Sequence, residues 1–500
     1  MTASIRRAVL IGCCTALFAG CGSPVENPVT GRTERTVLSE ADELRVGAEQ
    51  HKQVLADYGR LDDARLQTYV DSIGQRLARA SQRPSLPWIF TVLDSPEINA
   101  FALPGGYVYV TRGILSQVQS EAELAGIIGH EIGHVTARHG AQRATRQQTA
   151  GFGVLAATVL GAVLDSRGAG GLGEAVSQVS QTAAAGYVAS YSREQELQAD
   201  KLGAEYLNDT GYDPDNLVGV LRMLQNQERF AADAARADGR ATPPRNDWMA
   251  SHPSNDQRVR EAATTVQSLP KPAVTPRADG GDRYLQMIDG ITWGDSREQG
   301  VTRGRNFFHE PLGIAITAPP GWRIVNGSDV VAIINPAGEA GLLMRAVPPR
   351  AGSEHESVLR QLNPVSGATE RRNINGMAAT HFDGQVRTQQ GGTQATAVTV
   401  VSGPGSRLYL LGYAARDAAT LERARGQLRQ AESSFRPLSS AERAAARPWQ
   451  IRVVPFPSGG FAELARSSPL GNGAEAQLRL LNGVYAAGQP AVGQRVKIVQ

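Results

Sequence analysis

SEAELAGIIGHEIGHV, residues 120–135, carries a complete helix signature with a chemical motif inside it. Ser120 and Glu123 suit a capping box, and Leu124, Ile127, Ile128, Ile132 and Val135 recur at helical spacing as an apolar stripe. His130 and His134 stand four residues apart, so both imidazoles project from one helix face and can reach a single tetrahedral ion. Glu131 lies beside them without having to be a ligand, the place for a base that takes a proton from a zinc-bound water.

Catalytic zinc takes three protein ligands and keeps one position open, so a third ligand must come from elsewhere. His139 falls one residue short of the position a further helical-turn histidine would need, which is Gly140, and is expected on the surface. The better source is Ser192-Arg193-Glu194-Gln195-Glu196-Leu197-Gln198-Ala199-Asp200 on a following helix. Glu196 and Asp200 share one face there. The first can bind zinc while the second accepts from a ligand imidazole and sets its tautomer. Glu194 has Gln198 at the equivalent offset and lacks that support.

Upstream, Ser39 can cap a helix with Asp42 in its first turn, and Leu66, Tyr69, Val70, Ile73 and Leu77 mark the buried face of another. Trp88 to Leu93 reads as a buried strand, and Tyr107 to Thr111, after the Pro104-Gly105-Gly106 turn, as a second. The apolar run Gly151 to Leu164 is too short to span a membrane and reads as a buried helix, with a membrane-dipping segment as the rival reading, followed by a flexible Gly168-to-Gly173 loop. Helical pattern resumes from Glu174 to Leu207, breaks at Gly211-Tyr212-Asp213-Pro214, and continues through Leu217, Val220, Leu221 and Leu224.

Residues 269–299 are rich in Pro, Gly and Asp and read as a linker. Beyond it, Ile314 to Thr317, Val330 to Ile334, Ala397 to Val401 and Leu408 to Leu411 look like short strands and Ala418 to Gln430 like a helix, an α+β unit over 300–437. A third unit occupies 448–500, after the Arg447-Pro448 break. The whole is an α+β chain: a mainly helical first domain over 39–268 with a small sheet, then two smaller units.

The N-terminus has the layout of a secretory signal over residues 1–20: Arg6-Arg7, an apolar stretch from Ala8 to Phe18, then Ala19-Gly20-Cys21. It resembles a lipoprotein signal, which makes Cys21 the expected lipidated first residue and 21–38 a tether. The remaining cysteines, Cys13 and Cys14, lie inside the signal, so no thiol is left for a disulfide. The net charge is +3, of which Arg6 and Arg7 supply two, so no nucleic-acid partner is implied.

Several motifs together resemble the gluzincin zinc endopeptidases that include the HtpX heat-shock peptidases, the prenyl-protein endopeptidases and the BepA-type periplasmic lipoproteins. They are Asn27-Pro28-Val29-Thr30-Gly31-Arg32, Asn99 through Gly106, the His130-to-His134 helix, Ser192 through Asp200, and His252-Pro253 followed by Arg258. The resemblance covers about 24–265. It implies a zincin-like catalytic domain with one Zn2+ per chain on His130, His134 and Glu196, Asp200 and Arg258 in support, and Tyr107 to Thr111 pairing with an extended substrate. His252 is implied to approach the metal, either capping it in a resting form or assisting the transition state. Expected substrates are unfolded or misassembled envelope proteins on the periplasmic side of an outer membrane. No prenyl-lipid substrate is expected, because spanning helices are absent from the sequence.

The 300–437 unit carries no catalytic cluster and reads as a placement domain. Phe461 to Ala465, Leu481 to Val484 and Gly493 to Val499 resemble a degenerate LysM module, a family that binds cell-wall glycan, with Pro457-Ser458-Gly459-Gly460 where the opening Gly-Asp turn would stand. Two other functions compete: a wall-associated scaffold or chaperone lipoprotein that binds without cleaving, and hydrolysis of wall peptides. Retention of Glu131 favours catalysis, since a scaffold has no use for a base there.

Overall fold

The computed structural model describes residues 23–149, 191–237, 252, 256–327, 330–348, 354–387, 392–485 and 487–500. The signal over 1–20, Cys21, the apolar run 151–164, the glycine loop 168–173 and Pro253 lie outside the described residues. Among those described, no helix is long and apolar enough to cross a membrane.

The first domain begins with a two-stranded ribbon, β1 (Ser23–Glu26) and β2 (Thr33–Thr36), and two helices, α1 (Glu40–Tyr58) and α2 (Ala64–Ala80). Ser39 caps α1 as expected and with Asp42 closes a full capping box, and the expected apolar face of α2 is buried. A three-stranded sheet follows, formed by β3 (Ile89–Leu93), β4 (Ala100–Leu103) and β5 (Tyr107–Thr111) in the order β3-β5-β4. β5 runs parallel to β3 and antiparallel to β4. It is therefore the central strand, with both edges taken, and cannot be the one that pairs with a substrate. The outer edge of β3 is closed by the α2 side chain Gln67, which accepts from Val92 N and donates to Phe90 O. Among the described residues, that leaves β4 as the edge with no strand beside it.

After α3 (Arg112–Gln117), the central helix α4 (Glu121–Thr136) is buried on nearly every side. Its cap is half the expected box: Ser120 accepts from Glu123 N, but the Glu123 carboxylate accepts from Gln119 N instead of returning to Ser120. Arg138, with φ 58°, turns the chain into α5 (His139–Thr149). Next come α6 (Arg193–Asp209), α7 (Asp215–Ala237) and α8 (Asp256–Ser268). α6 lies against α4 at a seam of small residues. A Cβ on Gly203 would stand 3.1 Å from His130 N, and one on Gly133 3.1 Å from Ala199 O. The glycines thus let two backbones approach closely enough for short acidic side chains on α6 to reach the α4 histidines.

The stretch 269–299 is not a bare linker. It contains α9 (Gly281–Ile288), whose Tyr284, Leu285 and Ile288 are buried in the first core, and β6 (Thr292–Trp293). The apolar spacing of a helix this short is hidden by the Gly280-Gly281-Asp282 turn before it.

The second unit joins β7 (Val301–Arg303), β8 (Asn306–His309) and β9 (Ile314–Thr317) to a seven-stranded antiparallel sheet. That sheet holds β10 (Arg323–Asn326), β11 (Val331–Ile334), β12 (Ala340–Ala346), β13 (Pro364–Ile374), β14 (Met377–Arg387), β15 (Thr393–Ser402) and β16 (Leu408–Ala415). Helix α10 (His355–Arg360) packs against β14 and β15, and α11 (Ala418–Ser433) against β12 and β16. β17 (Arg436–Pro437) then pairs with β9, and α12 (Ser440–Ala445) follows.

The third unit runs β18 (Trp449–Pro455), α13 (Gly460–Arg466), α14 (Ala474–Leu481), β19 (Arg495–Val499), with β18 antiparallel to both β19 and β6. Its Ile451, Phe461, Leu478 and Ile498 join the core of the first domain. Lys497 is fully buried and donates to Ser116 O and Val118 O at 2.7 and 2.8 Å. Burial pushes its ammonium down to about 7, against the opposing pull of Glu123.

Candidate metal centre

α4 supplies His130, Glu131 and His134, α6 supplies Glu196 and Asp200, and α8 supplies Arg258. His252 completes the group, and all seven side chains are buried. One donor atom from each of His130, His134, Glu196 and His252 falls within 4.8 Å of the others. His130 Nε2 lies 3.0 Å from His134 Nε2 and 3.6 Å from Glu196 Oε2, and His134 Nε2 lies 3.5 Å from Glu196 Oε1. His252 Nδ1 lies 3.2 Å from His130 Nε2 and 3.0 Å from Glu196 Oε1. Ligands about 2.1 Å from a tetrahedral zinc would be about 3.4 Å from one another, so these edges fit such an ion.

Hydrogen-bond bookkeeping supports the same fit. Asp200 Oδ1 lies 2.9 Å from His130 Nδ1, and Arg258 grips both Asp200 oxygens at 2.8 and 2.7 Å. Burial alone would raise the Asp200 carboxyl, but the Arg258 guanidinium overrides it and holds the group well below the usual carboxylate range. An ionised Asp200 can only accept, so His130 carries its proton on Nδ1 and turns the Nε2 lone pair toward the cluster.

For His134 the chain is longer. Its Nδ1 lies 2.8 Å from His139 Nδ1, and His139 Nε2 lies 2.9 Å from Gln198 Oε1. With Gln198 Oε1 as the final acceptor, His139 donates from Nε2 and accepts at Nδ1, and the His134 Nε2 lone pair again faces inward. Burial lowers His130, and lowers His134 and His252 well below the ordinary imidazole value, so all three are neutral. The Nε2 lone pairs of His130 and His134 thus face each other 3.0 Å apart with no proton between them, beside the Glu196 carboxylate, a donor set that could hold a metal ion.

The expectation of a surface His139 is overturned. Its side chain is fully buried and pushed down to about 4 by that burial, because the left-handed turn at Arg138 folds α5 back beneath α4. Glu194, by contrast, is exposed, as its lack of a partner suggested. Arg258 also reaches Glu196 Oε2 at 2.8 Å and donates to His252 O at 3.2 Å, tying three members together. Burial pushes Glu196 up to about 7, against the pull of Arg258 and His130. Glu131 Oε1 lies 3.6 Å from His252 Nε2.

Sequence reasoning did not single out Tyr191 or Arg143, nor a role for Gln198. Tyr191 stacks on His134 with ring centroids 3.9 Å apart, and the Arg143 guanidinium lies 5.2 Å from the Tyr191 ring centre. The position of Tyr191, just before the Ser192 cap, was the only available signal. The open edge of the sheet passes the same place. Thr111 N donates to Asn99 O, and the antiparallel alternation from that pair turns the backbone groups of Ala100 and Ala102 away from β5.

The profile of Peptidase family M48 matches residues 64–266. The chain is 26% identical over 291 residues to the "Beta-barrel assembly-enhancing protease" of Yersinia pestis, spanning 54% of this chain and 57% of that one. The protein of that name in Escherichia coli K12 is 27% identical over 292 residues, with 57% and 55% covered. The bovine "Metalloendopeptidase OMA1, mitochondrial" is 28% identical over 243 residues, with 47% and 44% covered. The chain thus spans about half the length of the curated relatives it matches. Among solved structures, LpqN of Mycobacterium tuberculosis resembles 25% of this chain and 83% of its own, at 13% identity and a TM-score of 0.21. Two histidines and a glutamate of the stretch that matches peptidase family M48, residues 64–266, meet at one point.

Proposed function

We propose that the protein is a zinc-dependent endopeptidase that cleaves unfolded or misassembled envelope proteins. The observation that carries this reading is the convergence of His130, His134 and Glu196 around one point with Glu131 alongside. His130, His134 and Glu196 are the ligands in this proposal. Bound zinc supplies Lewis acidity toward water and the scissile carbonyl. Glu131 accepts the proton of the attacking water and returns it to the leaving amine. Asp200 and the His139–Gln198 chain hold the two imidazoles in their tautomers, and Arg258 keeps Asp200 and Glu196 in register.

Strand β4 takes over the substrate role first expected of Tyr107 to Thr111. Outward backbone groups at Ala100 and Ala102 suit an extended chain, read by main-chain hydrogen bonds and hence broadly. Folded proteins offer few such chains, so unfolded or misassembled polypeptide is the matching substrate. The names of the relatives from Yersinia pestis and Escherichia coli point to envelope proteins.

His252 is proposed as a cap in the resting state. Its Nδ1 stands at the fourth corner of the donor set, the place a water would need. The signal layout of residues 1–20 supports a periplasmic lipoprotein anchored in the outer membrane through Cys21. Loss of palmitate labelling in Cys21→Ala checks that placement. The third unit, sharing the first domain's core, is read as part of the peptidase body and not as a separate glycan-binding arm.

The deciding experiment is metal analysis of purified protein with casein cleavage by wild type and Glu131→Gln. The substitution keeps shape and ligands, so zinc should remain while cleavage falls about 100- to 10,000-fold. Activity within tenfold of wild type would overturn the mechanism.

A further inference from the structure

The Asn27-to-Arg32 motif supplies nothing to the metal chemistry, yet its first residue is buried against the helix that carries His130 and His134. Every polar atom of the Asn27 amide has a partner. Oδ1 accepts from Val29 N at 3.0 Å and Thr30 N at 3.2 Å, while Nδ2 donates to Glu34 Oε1 at 3.0 Å and to Ala137 O at 3.1 Å. Backbone N–H groups only donate and a main-chain carbonyl only accepts, so these neighbours fix which way the amide points. Ala137 is the C-cap of α4, three residues past His134. From Glu34 the bonds continue to the other ligand helix. Gln142 Nε2 on α5 donates to Glu34 Oε2 at 2.8 Å and reaches Ala137 O at 3.3 Å, and Gln195 Nε2 on α6 donates to Gln142 Oε1 at 2.8 Å. Gln195 precedes Glu196, and its Oε1 accepts from Ser192 N at 3.1 Å and Arg146 Nη2 at 2.8 Å. Both of those groups are donors only, so the chain has one polarity and ends on the Glu34 carboxylate.

We propose that Asn27 and Glu34 are positioning residues for the metal centre, holding the end of α4 and the first turn of α6 at the separation the donor set requires. The proposal rests on the zinc site of the reading above and extends its support to the N-terminal ribbon. The close backbone seam between α4 and α6 runs through Gly133, Ala199 and Gly203. Glu196 lies beyond that seam, in the first turn of α6, where a helix has N–H groups without intrahelical acceptors and depends on side chains to hold its shape. There the bonds from Gln195 through Gln142 and Glu34 lead to the same Asn27 amide that holds Ala137 O, which closes a side-chain bridge between the two helix ends. The 3.5 Å separation of His134 Nε2 and Glu196 Oε1 spans the same two ends. Gln142 also draws α5 into the bridge, three residues after the His139 that sets the His134 tautomer.

The test is the zinc affinity of the full-length protein in competition with a chelator, which needs no substrate. Asn27→Asp keeps the shape and both acceptances but turns an oxygen toward Glu34 Oε1 and Ala137 O, so affinity should fall about tenfold, the lower end for an outer partner of a metal ligand. Glu34→Gln should weaken zinc binding similarly, since an amide in place of the carboxylate sets donor against donor whichever way the amides along the chain are turned. Adding Gln142→Glu to Glu34→Gln puts a carboxylate back between two amide donors and should recover most of the lost affinity, with Asn27 still serving Ala137 O. Glu432→Gln, in the second unit, loses stability away from the site and should bind zinc as wild type does. A lower Tm in Asn27→Asp with unchanged zinc affinity reduces Asn27 to packing and overturns the proposal. So does a double variant that stays as weak as Glu34→Gln, and that pair decides alone if Asn27→Asp fails to fold. Wild-type protein that binds no zinc would remove the metal site and the proposal with it, whereas zinc binding that none of these substitutions alters would remove the proposal only.

Discussion

Two buried clusters in this molecule each combine a glutamate with histidine, and they have opposite hydrogen-bond inventories. In the second unit Glu432 lies beneath the large sheet, where Thr399 Oγ1 and Tyr413 OH donate to its two oxygens. Arg372 reaches Oε1 at 3.4 Å, and His381 Nδ1 contacts Thr399 Oγ1 at 2.7 Å. Every carboxylate oxygen there meets a donor, and the cluster works as a structural pin between α11 and the sheet. Beside Glu196, which Arg258 reaches at Oε2, the Nε2 lone pairs of His130 and His134 are turned inward by Asp200 and His139, so these two acceptors face each other. A buried carboxylate beside histidine is thus not in itself a metal site. The count of donors against acceptors separates the two cases.

Removing a ligand tests this contrast most severely. Glu196→Ala should lose zinc and proteolysis together, while Glu194→Ala keeps both, measured by metal content and casein cleavage. If Glu194 instead proves necessary for zinc, the helix register on α6 is wrong. Removing a support should cost less: Asp200→Ala and His139→Ala are each expected to weaken zinc binding about 10- to 100-fold in competition with a chelator. Unchanged affinity in His139→Ala would reduce its buried contact with His134 to packing.

His252→Ala probes the fourth corner and has a sign as well as a size. As a cap, its loss should raise peptide cleavage several-fold at matched zinc occupancy. A fall of about 100- to 1,000-fold would assign it to the transition state instead. The smallest effect on catalysis is expected in the other cluster. Glu432→Gln turns an acceptor into a donor among hydroxyl donors and should cost roughly 1–3 kcal/mol of stability. Zinc content and cleavage should stay within twofold, with the loss read as a lower Tm. Zinc loss in this variant would show that the two clusters are coupled.

The legible parts of the fold were those with strong local periodicity: α2, α4, α7 and the strand segments within β9, β11, β15 and β16. The hairpin of β13 and β14 was not legible, because residues 364–371 are exposed on both faces and alternate in nothing. The helix α9 was hidden because only Tyr284, Leu285 and Ile288 mark its buried face.

At the site, spacing by itself determined that His130 and His134 share a helix face and that Glu196 and Asp200 share another, since a helix repeats about every 3.6 residues. It did not determine which strand is the open edge. The Tyr107 to Thr111 stretch and the Ala100 to Leu103 stretch are both apolar, and strand order is set by pairing between segments far apart in sequence. Nor could spacing find His139, whose burial depends on a left-handed turn at Arg138, or Tyr191 and Arg143, which meet from opposite sides of 47 intervening residues. Local pattern carries the helix faces because the backbone repeat imposes them. Only the tertiary packing, with Gly133 and Gly203 bringing α4 and α6 together, determined which groups share a proton and which would share a metal ion.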